Sequence, residues 1–200
     1  MKIYFPLLLI TLLAGCAQAP VSVETPGIDT KAWDLRQQAL GKLDTWSLQG
    51  RLVIINGNEG WSAALHWVQD EGNYTMRFIA PLGQGTYQLQ GDQKLVSFLT
   101  AKNELYQADN PEQLLQNNLG WSVPVHGLKY WIKGIPEPGI KSENLLLDEQ
   151  GRMTELQQSG WHINISRYTD FNGTQLPSKL FMKNKNLQLR LVIQDWKTNT

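Results

Sequence analysis

"WSLQGRLVIINGNEGWSAALHWVQDEGNYTMRFIA", residues 46–80, alternates apolar and polar side chains with a period of two. Two short turns, "GNEG" and "DEGN", interrupt the alternation, which is typical of antiparallel hairpins. The side chains predicted to share one apolar face are Trp46, Leu48, Leu52, Ile54, Trp61, Ala63, Leu65, Trp67, Tyr74, Met76 and Phe78. This stretch therefore predicts three consecutive strands that bury one aromatic-rich face.

The same alternation continues along most of the chain. It is found in "TYQLQ", "KLVSFLT", "ELYQA", "WHINISRY" and two later hairpins, "NLLLDEQGRMTELQQSG" and "LPSKLFMKNKNLQLRLVIQDW". Helical spacing appears in "DTKAWDLRQQALGKLD", where Leu35 and Ala39 are assigned to the apolar face, in "PEQLLQNNLG" and in "VPVHGLKYWIKG". Since an antiparallel sheet with one apolar face must be covered or must curl, we expect a mainly β protein with about eleven strands curved over about three helices.

The predicted inner face is unusually aromatic. It carries Trp46, Trp61, Trp67, Tyr74, Phe78 and Trp161, together with Met76. For each tryptophan alone, a packed core explains the position, but a broad surface of aromatic and methionine side chains also suits irregular apolar ligands. The pattern leaves both a packed core and an internal apolar cavity open.

The turn "IAPLGQG", residues 79–85, holds an apolar residue where hairpin tips are usually polar. Leu82 stands between Pro81, which restricts the backbone, and Gly83, which permits positive φ. A leucine in a turn normally folds back onto the core. The alternative is an apolar side chain held in solvent.

The N-terminal residues are typical of a secretory signal. Lys2 precedes an apolar run that is shorter than the roughly 20 residues needed to span a bilayer, and "LLAGCAQ", residues 12–18, contains the chain's one cysteine. A signal that ends in Leu-Ala-Gly-Cys resembles the lipobox of bacterial lipoproteins, in which cleavage precedes a lipid-bearing cysteine. We therefore interpret 1–15 as a lipoprotein signal peptide, 16–28 as the lipidated N-terminus and tether, and 29–200 as one domain. An ordinary secretory signal with an incidental cysteine is the alternative.

Composition and motifs argue against several functions. Removal of residues 1–15 leaves 17 basic and 18 acidic side chains, without the basic excess typical of nucleic-acid binding. The three histidines have no metal-ligand spacing, and hydrolase, metalloprotease and phosphate-loop motifs are absent from the sequence. We expect no enzyme, no cofactor, no metal and no nucleic-acid partner.

Taken together, "WSLQGRLVI", "APLGQGTYQL", "NPEQLLQNNLGWSVPVHGLKYWIKGIP", "GWHINISRY" and "LPSKLFMKNKNLQLRLVIQDW" resemble the LolB family of outer-membrane lipoprotein receptors. The resemblance implies an incomplete antiparallel β-barrel that is closed by helices and encloses an apolar cavity. It also implies a monomer that takes acylated lipoproteins from the periplasmic carrier LolA and inserts them into the outer membrane without nucleotide. The implied partners are LolA, the acyl chains of client lipoproteins and outer-membrane lipid.

The resemblance also implies roles for particular residues. Cys16 would carry the lipid anchor on the periplasmic face of the outer membrane, consistent with Ala17 rather than an aspartate after it. Leu82, with Pro81 and Gly83, would form an exposed membrane-insertion loop. The acyl-chain cavity, assigned from the alternation, comprises Trp46, Leu48, Trp61, Leu65, Trp67, Tyr74, Met76, Phe78, Trp161 and Ile163. A membrane-anchored lipid-modifying hydrolase and a passive structural lipoprotein remain the alternatives.

Overall fold

The computed structural model describes residues 30–92 and 94–198. Within these ranges the helices are α1 (Thr30–Lys42), α2 (Pro111–Leu119) and α3 (Val125–Trp131). The strands are β1 (Thr45–Asn56), β2 (Glu59–Asp70), β3 (Asn73–Ile79), β4 (Thr86–Gly91), β5 (Val96–Leu99), β6 (Leu105–Ala108), β7 (Ser142–Leu147), β8 (Met153–Gln158), β9 (Trp161–Phe171), β10 (Thr174–Lys183) and β11 (Leu187–Thr198). A short 3₁₀ turn, Pro81–Gly83, connects β3 to β4.

All eleven strands form one antiparallel sheet in the order β6-β5-β4-β3-β2-β1-β11-β10-β9-β8-β7. Every neighbouring pair is consecutive in sequence except β1 and β11, which join the two halves of the sheet. The edge strands β6 and β7 are not paired with each other, and the segment that contains α2 and α3 connects them. The predicted incomplete antiparallel barrel, with its strand number and helices, is confirmed.

A bulge at the β1–β11 pair gives the sheet part of its curvature. The register shifts between Gln49 and Gly50, which pairs with Ile193. A Cβ atom on Gly50 would lie 2.4 Å from the backbone oxygen of Val192, which is far inside van der Waals contact. Because a bulge bends its strand and increases the twist, glycine here permits the close approach that curves the sheet.

Antiparallel pairing places the turns at two opposite ends of the barrel. The β1–β2, β3–β4, β5–β6, β8–β9 and β10–β11 turns lie at one end, which we call the mouth end. The β2–β3, β4–β5, β7–β8 and β9–β10 turns lie at the other end, together with the connection from α1 into β1.

α1 packs on the barrel through a narrower face than the sequence predicted. Trp33 and Leu40 are buried, and Lys133 donates hydrogen bonds from Nζ to the backbone oxygens of Leu40 (2.8 Å) and Leu43 (2.8 Å). Leu35 is 60% exposed, so its assignment to the apolar face was wrong, as was that of the exposed Ala39. The reason is angular: a residue two positions after Trp33 lies about 200° around the helix, on its far side.

α3 and the loop after it are fixed to β8 by one buried amide. The Oε1 atom of Gln158 accepts hydrogen bonds from Trp131 Nε1 (2.8 Å) and Glu137 N (2.9 Å). Its Nε2 atom donates to the backbone oxygens of Glu137 (3.0 Å) and Ile140 (2.8 Å). Gln158 is fully buried, and these four bonds satisfy its whole amide group. The helical segment is thereby held inside the concave face of the sheet.

Candidate functional site

An apolar cavity of about 570 Å³ lies between the concave face of the sheet and the segment that contains α2 and α3. Its volume is in the range of ligand sites, roughly 300–1,000 Å³. The strand side of its wall is formed mainly by Leu52, Ile54, Trp61, Leu65, Trp67, Met76, Phe78, Tyr87, Leu89, Phe98, Met182, Leu189 and Leu191. The helical side is formed by Leu115, Leu119, Trp121, Val123, Val125, Leu128 and Ile132. Both faces that meet in the middle of the barrel are therefore lined by apolar side chains, and a space remains between them.

Five of the ten residues predicted to line a cavity contribute to this wall. They are Trp61, Leu65, Trp67, Met76 and Phe78. The structure places the other five outside it, where they pack in the surrounding core: Trp46, Leu48, Tyr74, Trp161 and Ile163. Alternation identifies which face of a strand points inward, but not which part of the barrel the helices fill.

The packing of two tryptophans shows why they do not reach the cavity. The ring of Trp46 lies 5.1 Å from that of Trp67 and 5.2 Å from that of Trp196, between centroids. Trp161 lies 6.2 Å from Trp131, the last residue of α3. Trp46 fills space near the end of the barrel opposite the mouth, and Trp161 packs beside α3 at the start of β9, so neither ring borders the cavity.

Four aromatic rings form a continuous cluster along one side of the cavity. Trp61 contacts Phe78 (5.9 Å between centroids) and Tyr87 (6.0 Å), and Tyr87 stacks on Phe98 (6.2 Å). Tyr87, Leu89 and Phe98 were not predicted to line the cavity, although the alternation in "TYQLQ" and "KLVSFLT" carried that signal. Trp121 was not predicted either, because it follows α2 and belongs to no strand periodicity.

The amide and carboxylate groups of the cavity wall lie at its rim. Asn56 and Glu59 flank the β1–β2 turn at the mouth end. Among the described residues of the wall, these two are the ones with amide or carboxylate side chains. The arrangement suits an apolar chain that lies inside and carries a polar head at the entrance.

Leu82 projects into solvent from the same end of the molecule. Its side chain is 97% exposed, and its backbone has φ 54° and ψ 31°, in the left-handed region. The turn is closed by hydrogen bonds from Ala80 N to Gly85 O (3.0 Å) and from Gln84 N to Pro81 O (3.2 Å). In the structure, therefore, the side chain of Leu82 is held in solvent and does not fold back onto the core.

Three further features concern the lipid anchor, metal binding and membrane-spanning helices. Cys16 lies outside the described residues. Within residues 30–92 and 94–198, no cluster of three His, Cys, Asp or Glu side chains could hold a metal ion. In the same part of the chain, the helices are too short or too polar to cross a membrane.

The sequence of the chain matches the family model "Outer membrane lipoprotein LolB" over residues 44–196. The chain belongs to the LolB family. Two relatives named Outer-membrane lipoprotein LolB support this: those of Pseudomonas paraeruginosa and Nitrosococcus oceani are each 39% identical to it. The alignments cover 94% of this chain and 91% of the first relative, and 95% of this chain and 94% of the second.

A solved structure supports the LolB fold independently of sequence. A LolA superfamily protein from Nitrosomonas europaea superposes with a TM-score of 0.53 at 8% identity, covering 86% of this chain and 93% of that one. The resemblance seen in the sequence is thus confirmed as LolB membership, with an architecture that is also found in the LolA superfamily. Membership identifies the chain as a lipid-anchored lipoprotein of the outer membrane, which confirms the predicted localisation.

Proposed function

We propose that this LolB-family protein accepts acylated lipoproteins from a periplasmic carrier of the LolA type and inserts them into the outer membrane. The observation that carries the proposal is the apolar cavity of about 570 Å³, whose lining residues Asn56 and Glu59 lie at the same end of the barrel as the exposed Leu82. One site receives acyl chains and the neighbouring loop meets the membrane into which they are delivered.

The cavity supplies what a transported acyl chain needs. Each methylene group that leaves water contributes about 0.8 kcal/mol, so a chain released into the periplasm would be strongly unfavourable. Tryptophan, phenylalanine, leucine and methionine side chains in the wall shelter such a chain without requiring a particular shape. Because transfer uses no nucleotide in this proposal, the client moves in order of increasing affinity: carrier, receptor, bilayer.

The cavity wall favours binding over hydrolysis. A lipid-modifying hydrolase needs a nucleophile within hydrogen-bonding reach of a base. Among the described wall residues, the amide of Asn56 and the carboxylate of Glu59 stand at the rim, and the interior positions are apolar. The chemistry of the wall therefore supports a receptor that holds its ligand unchanged.

Cys16 is proposed to carry the anchor, with residues 1–15 removed and 16–28 acting as a tether. A single acyl chain binds membranes only marginally, so stable anchoring requires more than one on this residue. Mass spectrometry of the mature protein is expected to show cleavage after Gly15 and an acylated N-terminal cysteine. An unmodified chain that still begins at Met1 would contradict this part of the proposal.

A displacement experiment tests the cavity. An apolar fluorescent probe is expected to bind the mature protein and to be displaced by an acylated lipoprotein but not by its unacylated form. Phe78→Asp should reduce probe affinity at least tenfold, since it places a charge in the apolar wall. Ile79→Asp is the matched control, because this next residue of β3 is 39% exposed and lies on the other face. Equal effects of the two substitutions, or no probe binding by the folded protein, would refute the proposed cavity function.

A further inference from the structure

The outer face of the barrel carries a concentration of positive charge that the cavity does not explain. We call it the basic patch and define it as Arg51, Arg167, Lys179, Lys183 and Arg190, on β1, β9, β10 and β11. Four of these side chains are exposed, and Lys179 is half-buried. The formal net charge of the whole chain is zero, so this patch reflects a separation of charge over the surface.

Strand register brings the members of the basic patch together. Arg51 and Lys179 both pair with Val192, from opposite sides of β11, and Lys179 also pairs with Arg167. These residues form a row across four strands. The next row toward the mouth end contains Val53, Arg190, Phe181 and Asn164, and the row after that contains Ile55, Gln188, Lys183 and His162. No aspartate or glutamate occurs in these three rows on β1, β11, β10 or β9.

The basic patch lacks internal compensation. The ion pairs among the described residues are His126–Glu137, Arg152–Asp148 and His162–Glu155, and none includes a member of the patch. Lys179 is the register partner of Arg167 at an irregular point of the β9–β10 ladder, so two like charges lie close together there, which is unfavourable in a sheet. Such an arrangement indicates a surface whose compensating charge comes from a partner.

Phe181 stands at the centre of the patch with a cation on each side. Lys179 Nζ lies 5.3 Å and Arg190 Cζ 5.9 Å from the centre of its ring. Val53, Ile55 and Val192 fill the neighbouring outward positions and are half-buried. Basic side chains mixed with aromatic and aliphatic ones are typical of surfaces that lie at a membrane interface.

We propose that the basic patch binds the anionic headgroups of phospholipids at the membrane surface. This inference rests on the proposed function, because binding of the basic patch to headgroups would orient the barrel for delivery of a client. The protein is an outer-membrane lipoprotein, so the patch is always near a lipid surface. The β10–β11 turn, beside Lys183, lies at the mouth end with the β3–β4 turn that carries Leu82. One bilayer surface can therefore meet both.

The positive charges of the basic patch are sufficient to change membrane binding measurably. A basic residue near an anionic membrane surface improves binding by roughly fivefold, and the effect falls off within a Debye length. Reversing two members of the patch should therefore weaken contact by well over tenfold. It should leave acceptance of clients unchanged, because the cavity opens on the inner face of the sheet.

The experiment uses the mature acylated protein in vesicles and needs no client. An environment-sensitive fluorophore is attached at Asn186→Cys in the exposed β10–β11 turn. Vesicles of phosphatidylcholine alone are compared with vesicles that also contain phosphatidylglycerol. The anionic vesicles are expected to shift the emission to the blue, and high salt should reverse the shift. Lys183→Glu with Arg190→Glu should abolish it. Lys141→Glu with Lys197→Glu, an equal charge change at exposed positions outside the patch, should retain it.

Three results would overturn the proposal. Identical emission in both kinds of vesicle would show that the patch does not meet anionic lipid. Equal losses in the patch variant and its control would indicate only an effect of net charge. Unchanged emission combined with loss of client acceptance from the carrier would identify the patch as a protein-binding surface. Failure of the cavity function would appear separately, in the probe displacement experiment, because the label reports surface contact without a client.

Discussion

At the scale of single residues, Leu82 combines exposure with an unfavourable backbone conformation. A left-handed conformation costs an L-residue with a Cβ roughly 1–2 kcal/mol, and a fully exposed leucine recovers nothing from core packing. Stability therefore does not explain this leucine. Its side chain could contribute roughly 1.5–3 kcal/mol on burial in lipid, which is enough to bias a docking event but too little to anchor the protein.

Two substitutions of Leu82 separate stability from delivery. Leu82→Gly should raise the free energy of unfolding by about 0.5–1 kcal/mol, because relief of backbone strain exceeds the added flexibility of the unfolded chain. Leu82→Glu should leave stability and client acceptance nearly unchanged. Both variants are expected to lose insertion into liposomes in a reconstituted assay that measures acceptance and insertion separately.

Leu95→Glu is the control for that assay, since Leu95 is 48% exposed but precedes β5 at the opposite end of the barrel. Normal insertion by Leu82→Glu, or a loss of stability as large as that of a core mutation, would contradict the assigned role of Leu82.

Lys133 is a buried charge that ties α1 to the segment after α3. Burial lowers its pKa from 10.5 to about 8, and the nearby Lys129 lowers it further while Asp44 opposes the change. Between pH 8 and 10.5 the unfolded chain therefore binds a proton at this position that the folded chain has released. The contribution of Lys133 to the free energy of unfolding rises with pH over that window.

Comparison with Lys133→Met isolates this contribution. The free energy of unfolding of the parent protein, relative to the variant, should increase by roughly 3 kcal/mol between about pH 8 and 10.5, at about 1.4 kcal/mol per pH unit. Urea denaturation at several pH values measures it. Parallel pH profiles for the two proteins would show that Lys133 has an ordinary pKa in the fold.

At the scale of elements, the strands were predictable and the helical segment only in part. Alternation around Trp61 and Trp67 identified inward faces because a strand has one periodicity that holds along its length. Helical spacing did not assign Leu35 correctly, because apolar residues are spread around α1 and do not define a single buried face. Trp121 could not be assigned to the cavity, because its position depends on how the loop between α2 and α3 is attached to the sheet.

The end of α3 and the loop after it are attached to the sheet through Gln158, and a polar residue at a strand end does not reveal this role in the sequence. Gln158→Met should reduce the free energy of unfolding by about 3 kcal/mol, since Trp131 Nε1 and Glu137 N would lose their partner. Gln157→Met, at the preceding half-buried position, is expected to cost less than about 1 kcal/mol. Equal and small losses, measured by urea denaturation, would show that the amide is not what holds the segment after α3.

At the scale of the whole molecule, the barrel separates three tasks on one scaffold. The concave face and the helical segment leave an apolar cavity, the mouth end exposes Leu82, and the convex face concentrates positive charge. Sequence periodicity predicted the inner face, but the size of the cavity depends on long-range packing of α3 against residues such as Trp161. The basic patch could not be predicted from the sequence either, because its members come together only through strand register.

The most direct test of the central claim asks where the acyl chain lies during transfer. A photoreactive benzoylphenylalanine is placed at Tyr87, which lines the cavity, or at Gln88, the next residue of β4 on the outer face. After illumination during handover from the carrier, the Tyr87 position should crosslink to an acylated lipoprotein and not to its unacylated form, and the Gln88 position should crosslink to neither. Efficient handover without a crosslink at Tyr87, or equal crosslinking at Gln88, would contradict the account.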